Sequence, residues 1–406
     1  MSADLHIVSL AAVTWDFPLV GRTRMLTEAW LDLGQPTTFV QSPSLRTASQ
    51  RLRWGASSAA PPVVRPWPTF PSAIWTSLSF EQLDASARAQ AKRLRRLLSA
   101  RLDWTRSVAL VVSPVWTPWL DELPFARVVY DCIDDLGVHV PRPELTAHYR
   151  RWEDQLVRRC DAAVVTADEL GSLLNQRRAG LPITTIRNGV GTDRFRAALQ
   201  RPRPADVAKD RPVIGFVGAL YAWIDWSLVE AAARAMPDCT FVMVGPWDAQ
   251  APIERIKALG NVTFLGARPY DDVPDYVAAF DVCWVPFDQS RVSTLANPVK
   301  IYEYLALGKP VVTTPVADTS SFDGLALLGR THAEVIARLR QSLQHQSHAE
   351  DDRVSFARAN DWRVRAQDYI HFAQALLEPA ACPTSPARPG AEALHAARSG
   401  SGGNPA

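Results

Sequence analysis

Short, continuously apolar runs recur along the chain, and most are followed by a stretch whose apolar positions fall three and four apart. In the first half the runs are Leu5 to Ala12, Thr37 to Gln41, Val108 to Ser113, Arg127 to Asp131, Ala162 to Thr166 and Thr184 to Ile186. Several do not alternate with polar residues, which predicts strands covered on both faces. Helical spacing lies between them at Gly21 to Leu33, closing at Gly34, and at Glu81 to Leu102, Leu145 to Arg159 and Asp168 to Arg178. Strands alternating with helices predict a doubly wound α/β unit. Ser42 to Pro71, rich in Pro, Ser and Trp, has no sustained period and reads as an ordered but irregular excursion.

The rhythm restarts after the polar stretch Arg201-Pro202-Arg203-Pro204, which reads as a linker. Strands are expected at Val213 to Gly218, Thr240 to Val244, Val262 to Leu265, Val282 to Val285 and Val311 to Thr314. Helices are expected at Trp226 to Met236, Pro252 to Leu259, Val273 to Ala279 and Pro298 to Leu307. A last helical pattern runs from Asp361 to Leu377, and the Ala/Pro/Gly/Ser-rich end from Pro379 reads as disordered. The expected division is one α/β unit over 1–200, a linker over 201–211, a second unit over 212–350, a terminal helical segment over 351–378 and a tail over 379–406.

The length of 406 residues suffices for two cores. A formal net charge of +2 is too small to argue for nucleic acid. The charge is uneven, however: Arg88, Lys92, Arg93, Arg95, Arg96 and Arg101 crowd the 81–102 helix, whose apolar stripe is expected at Leu94, Leu97, Leu98 and Leu102. Such a helix suits either peripheral contact with an anionic membrane or an ordinary solvated face. The five cysteines include no C-x-x-C pair, and four lie in apolar runs, as expected of buried reduced thiols. Asp4 stands where a signal peptide would carry basic residues, and no run is long enough to span a bilayer. The expected location is the cytoplasm, with membrane contact only peripheral.

Asn297 to Pro310 reads as a helix with both ends written in. Asn297 suits the N-cap and Pro298 the first helical position. Gly308 suits a left-handed stop, and Pro310 forbids continuation. Lys300 and Glu303, three apart, project from one face. The free N–H groups and positive dipole end, with Lys300 beside them, suit a diphosphate; Glu303 suits ribose hydroxyls. The alternative is a Lys–Glu surface pair of little energetic weight.

This segment resembles the "NPLK-x-YEYLA-x-GKPVV" signature of bacterial glycosyltransferases of the family-4 kind. Thr185 to Phe195 resembles their "IPNGVDxxxF" run, Gly215 to Gly218 the strand opening the second domain, Asn261 to Gly266 an "NVxFLG" strand, and Asp361 to Ala366 an "SWxxRA" helix start. The resemblance implies the GT-B fold: two Rossmann-like doubly wound domains, an interdomain cleft and a last helix that crosses back to the first domain. It implies transfer of a sugar from a nucleoside diphosphate sugar to a glycan or lipid-linked acceptor, with uridine as the family's usual base and Glu303 on the ribose. The expected donor contacts are Glu303, Lys300, Asn297, Pro298, Tyr302, Gly218 and Asp225. The chain departs from the pattern at Leu295, the place of a second glutamate. Ala219 to Trp226 matches a "YxWID" variant of a surface-polysaccharide subgroup, in place of the usual Arg and Lys.

On the acceptor side, Asp131, Asp134 and Asp135 end a strand and are the candidate general bases, the last two as a pair of mutually raised pKa; capping or holding a loop is the alternative. Gly21 and Arg22 follow the first strand and suit a phosphate or acceptor loop, with a plain structural turn as the alternative. The eight histidines lack metal-ligand spacing and no Asp-x-Asp occurs, so no metal and no cofactor beyond the donor substrate is expected. A nucleotide-sugar 2-epimerase on the same fold and an inactive nucleotide-binding relative are the rival readings.

Overall fold

The structure, a computed structural model, describes residues 5–17, 19–42, 63–64, 78–135, 145–290, 294–317, 319–344 and 350–378. Most of the Ser42 to Pro71 excursion, the 379–406 tail and Cys382 lie outside these residues.

Two parallel sheets organise the chain. The first orders seven strands as β3-β2-β1-β4-β5-β6-β7. They are β1 His6–Leu10, β2 Thr37–Val40, β3 Val63–Val64, β4 Ser107–Val111, β5 Arg127–Cys132, β6 Ala162–Val165 and β7 Ile183–Thr185. The second orders six as β10-β9-β8-β11-β12-β13. Here β8 is Val213–Val217, β9 Thr240–Val244, β10 Val262–Gly266, β11 Val282–Val285, β12 Val311–Thr313 and β13 Ala326–Leu328. Strand order reverses between β1 and β4 and between β8 and β11, and such switch points open a crevice at the strands' carboxyl ends.

The helices of the first half are α1 Arg22–Asp32, α2 Phe80–Ser99, α3 Thr146–Arg159, α4 Asp168–Arg177 and α5 Thr192–Ala197. Those of the second are α6 Trp226–Ala235, α7 Ile253–Lys257, α8 Val273–Ala278, α9 Val299–Ala306, α10 His332–Gln344, α11 Glu350–Ala359 and α12 Trp362–Leu377. The central strands β4 and β8 are buried at every position, which is why their sequences read as unbroken apolar runs. Each fully buried Val, Leu or Phe along them contributes about 2 kcal/mol of transfer free energy.

The last helix packs on the first sheet. Trp362, Ala366 and Tyr369 of α12 share a core with Ile7 and Val108 of that sheet and with Trp30 of α1. Polar fasteners reinforce it: Trp30 Nε1 donates to the Ala366 carbonyl at 3.0 Å and Arg127 Nε to the Leu376 carbonyl at 2.9 Å. Where the chain leaves the first sheet and where it returns lie side by side. Val190 N–H donates to the Asn360 carbonyl at 3.2 Å and Trp362 N–H to the Val190 carbonyl at 3.0 Å. A Cβ on the neighbouring Gly189 would sit 2.5 Å from the Asn360 carbonyl oxygen, so glycine is what lets the two crossings close up.

Two local expectations are corrected. Leu97 is not part of the buried stripe of α2 but 47 % exposed among its basic residues. The stripe runs through Leu83, Ala87, Ala91, Leu94 and Leu98, whose spacing of four, four, three and four keeps one face inward and turns Leu97 outward. The same helix begins at Phe80, fixed by a capping box in which Ser79 and Gln82 satisfy each other's backbone N–H groups.

Candidate active site

The carboxyl end of β8 is built around two glycines. Gly218 (φ 157°) and Gly245 (φ 147°) follow adjacent strands, and a Cβ on Gly245 would sit 1.8 Å from the Gly218 carbonyl oxygen. A Cβ on Gly218 would lie 2.9 Å from Lys300 Cε, so the Lys300 stem passes directly over that glycine. The bare backbone at the switch point and the lysine above it therefore form one surface.

Lys300 is carried by α9, which Tyr304 anchors to the sheet: Tyr304 Oη accepts from the Val217 N–H at 2.9 Å. Gly308 (φ 68°) ends the helix as its position in the sequence predicts. Lys309, in the exit motif, is occupied structurally, its Nζ donating at 2.7 Å to the carbonyls of Ala278 and Phe280 that end α8.

The start of α9 differs from expectation by one residue. Pro298 is the N-cap and Val299 the first helical residue, with no side chain capping the turn. Asn297 does not cap because its Oδ1 is taken by the Asn188 N–H at 3.1 Å and by Tyr302 Oη at 3.2 Å. Its Nδ2 is buried with no hydrogen-bond partner among the described residues. The uncapped turn leaves N–H groups and the positive end of the dipole beside Lys300, an arrangement suited to an anion.

Glu303 lies one turn further on and is 3 % exposed. The Tyr270 hydroxyl, from the loop after β10, donates to its Oε1 at 2.9 Å. Burial raises the Glu303 pKa above the ordinary carboxylate value, and Lys300 and Tyr270 oppose that rise. Burial and then the neighbouring Glu303 push the Tyr270 phenol well up, so Tyr270 is a fixed hydrogen-bond donor.

Other expected donor contacts sit differently. Tyr302 turns inward, stacked on Phe356 with ring centroids 5.9 Å apart. Asp225 caps α6, accepting from the Leu228 N–H at 2.9 Å, and pairs with His332 Nε2 at 2.9 Å. Both oxygens of its carboxylate have partners, Oδ1 with Ser227 and Leu228 and Oδ2 with His332.

In the first half, Gly21 precedes α1 in extended backbone, and a Cβ there would meet nothing within 4 Å. Arg22 does meet an anion, but an internal one. Only 4 % exposed, it lies with Nε 3.5 Å from Asp131 Oδ2. Its Nη2 donates to the Ile186 carbonyl at 2.6 Å and to Tyr369 Oη at 2.7 Å. Its Nη1 donates at 3.0 Å to the Arg187 carbonyl and to Asn188 Oδ1. Tyr369 Oη in turn donates to Asp131 Oδ1 at 2.6 Å. Asp131, 1 % exposed with both oxygens engaged, is thereby an internal counter-ion. Asp134 and Asp135 are half-buried at the carboxyl edge of β5, where Asp134 Oδ1 accepts from the Asp135 N–H at 2.8 Å.

Residues 211–345, which carry β8 to β13 and the glycine–lysine surface, match the family described as Glycosyl transferases group 1. In overall structure the chain is similar to a sucrose-phosphate synthase from Thermosynechococcus elongatus, with a TM-score of 0.68 at 16 % identity over 92 % of this chain and 99 % of that one. It is likewise similar to Anabaena Alr3699/HepE, crystallised with UDP and glucose, with a TM-score of 0.65 at 17 % identity over 91 % and 99 % of the two chains. The fold is GT-B. In sequence, this GT-B chain is 31 % identical to the putative teichuronic acid biosynthesis glycosyltransferase TuaH of Bacillus subtilis (strain 168) over 205 residues, 48 % of this chain and 52 % of that one. It is 32 % identical to the 2-deoxystreptamine glucosyltransferase of Streptomyces kanamyceticus over 140 residues, 30 % and 34 % of the two. The chain thus spans about half, or less, of the length of the curated relatives it matches.

Within the GT-B frame, two contacts escaped sequence reasoning. Tyr270 reaches Glu303 from another loop, and its only advance signal was a tyrosine a few residues past a strand end. Asn188 belongs to a run that stands out in the sequence, yet nothing there shows that it reaches Asn297.

Proposed function

We propose that this chain is a glycosyltransferase that moves a sugar from a nucleoside diphosphate sugar to a glycan or lipid-linked acceptor in surface polysaccharide biosynthesis. The observation that carries this reading is Lys300 lying over Gly218 at the β8 switch point, with Glu303 one turn away on the same helix. Lys300 and the uncapped start of α9 hold the diphosphate, and Glu303 accepts hydrogen bonds from ribose hydroxyls. As the sugar leaves, negative charge grows on the distal phosphate, where a fixed cation and helix N–H groups stabilise it. The similarity to TuaH, whose name states teichuronic acid biosynthesis, supports a polysaccharide acceptor, and the UDP in the HepE structure supports a uridine nucleotide.

The proposed division of labour follows the chain. Residues 1–200 take the acceptor, 201–211 link, 212–350 take the donor and 351–378 return to the first sheet. Asp134 and Asp135 are the acids left for acceptor chemistry once Asp131 is assigned to Arg22. We assign hexosyl transfer without a metal, and peripheral contact with an anionic membrane through α2.

Calorimetric titration with nucleoside diphosphates, followed by assay with nucleotide sugars, tests the reading. Lys300→Ala should lose about ten- to hundredfold in diphosphate affinity, the weight of a charge-assisted hydrogen bond. Glu303→Ala should weaken nucleotide binding and abolish transfer. Wild-type turnover in Glu303→Ala would sink the ribose assignment, and unchanged affinity in Lys300→Ala the phosphate assignment.

A further inference from the structure

A continuous buried polar relay joins the two sheets. It starts at Asp131 on β5, passes through the Arg22 guanidinium to Asn188 Oδ1, and continues from Asn188 to Asn297. Asn188 grips Asn297 twice: its N–H donates to Asn297 Oδ1 at 3.1 Å, and its Nδ2 donates to the Asn297 carbonyl at 2.6 Å. The relay ends at Tyr302, next to Glu303 in α9, whose hydroxyl shares Asn297 Oδ1. Arg22, Asn188 and Asn297 are all under 9 % exposed, so water neither screens these bonds nor replaces them.

The arrangement is directional. Arg22 is fixed by Asp131, Tyr369 and three acceptors just after β7, so it presents Nη1 to Asn188 in one orientation. Arg365 of α12 adds a bond to the Asn188 carbonyl at 3.4 Å. The Asn188 carboxamide is thereby set with its oxygen toward Arg22 and its nitrogen toward Asn297. The bonded carbonyl of Asn297 immediately precedes Pro298, the residue from which α9 departs. With Asn297 pinned at backbone and side chain, the first turn of α9 has its direction set from the first sheet.

We propose that Asn188 is a positioning residue for donor binding: through Asn297 it sets the N-terminal turn of α9 and hence where Lys300 meets the diphosphate. The proposal rests on the nucleotide reading of α9 given above. Among the described residues Asn188 forms no hydrogen bond with Lys300 or Glu303, and it acts through Asn297. Donor affinity is then a property of both sheets, although its direct contacts lie on the second.

A double-mutant cycle read in UDP affinity tests this. Asn188→Ala, Asn297→Ala and the double variant are titrated calorimetrically with UDP, at a temperature where circular dichroism shows each one folded. Each single change should weaken UDP by about five- to tenfold; because Asn188→Ala removes the bond to the Asn297 carbonyl and Asn297→Ala the bond from the Asn188 N–H, the double variant should bind more weakly than either. Asn188→Asp fills the same volume should alanine fail to fold. It keeps an acceptor for Arg22 but sets a carboxylate oxygen against the Asn297 carbonyl, so it should lose at least as much affinity as alanine. Wild-type UDP affinity in either Asn188 variant overturns the proposal. Wild-type protein that binds no nucleoside diphosphate would remove the nucleotide reading itself, and the proposal with it.

Discussion

Glu303 is buried, accepts a hydrogen bond from Tyr270 and has its pKa raised by that burial. On the proposed assignment of Glu303 to ribose, hydroxyls donate more strongly to a carboxylate than to a carboxyl group, so bound nucleotide favours the ionised form. Two slopes of opposite sign follow. Nucleotide affinity should rise as pH increases through the raised pKa of Glu303. Over the same interval the free protein should lose stability, because a carboxyl whose folded pKa exceeds its unfolded one makes the folded state the stronger proton binder. Titrations with UDP and thermal melts between about pH 5 and 8 measure both; Glu303→Gln should flatten the stability slope and reduce the affinity slope, the remainder being the terminal phosphate of UDP, which loses a proton at about pH 6. A stability slope that persists in the glutamine variant would place the titrating group elsewhere. The sequence showed Lys300 and Glu303 because their neighbours Pro298, Gly308 and Pro310 write a local helix around them. It could not show the contacts of Tyr270 or Asn188. Their partners lie 33 and 109 residues away, and contacts at that range leave no local period to read.

Among the elements, α2 presents Arg88, Lys92, Arg93, Arg95 and Arg96 to solvent, with Leu97 exposed among them and Arg101 just beyond its end. Some of that charge is answered within the fold, since Arg88 lies 3.6 Å from Asp84 and Asp121 and Lys92 3.8 Å from Glu122. Arg95, Arg96 and Arg101 extend the patch further along. Each cation near an anionic bilayer surface contributes about 1 kcal/mol, so Arg95→Glu, Arg96→Glu and Arg101→Glu together should cost at least about a hundredfold in binding to phosphatidylglycerol vesicles. Co-sedimentation at low and high salt measures this. No salt-sensitive preference for anionic over neutral vesicles in the wild type would make the patch an ordinary solvated face. No helix of the described residues is long and apolar enough to cross a membrane. Elements were legible in proportion to their burial: β4 and β8, buried throughout, stand out as apolar runs. The edge strand β13 does not, because its three residues are only half-buried. Neither does α10, whose fully buried positions are only Val335, Leu339 and Ser342.

For the molecule as a whole, the consequence of the GT-B path is that α12, the last helix of the described residues, completes the core of the first sheet. Tyr369 of α12 lies in the same cluster as Ile7 and Val108, and its hydroxyl links Asp131 to Arg22. Sequence alone placed a helix here through its apolar spacing, and only its resemblance to a family pointed to the first sheet as its seat. Removing the hydroxyl leaves Asp131 Oδ1 and Arg22 Nη2 each short of one charge-assisted bond. Tyr369→Phe should therefore destabilise the protein by about 2 kcal/mol. Arg22→Ala should cost more, about 4 kcal/mol, because it leaves the Asp131 carboxylate buried without a cation. Urea denaturation followed by circular dichroism reads both, with Arg363→Ala, in an exposed position on α12, as the control expected to change little. The order of the three is the decisive result. If Arg22→Ala proved as mild as the control, the buried cluster of Arg22, Asp131 and Tyr369 would not be what fastens α12 to the first sheet, and apolar packing of Trp30, Trp362 and Ala366 would carry that load alone.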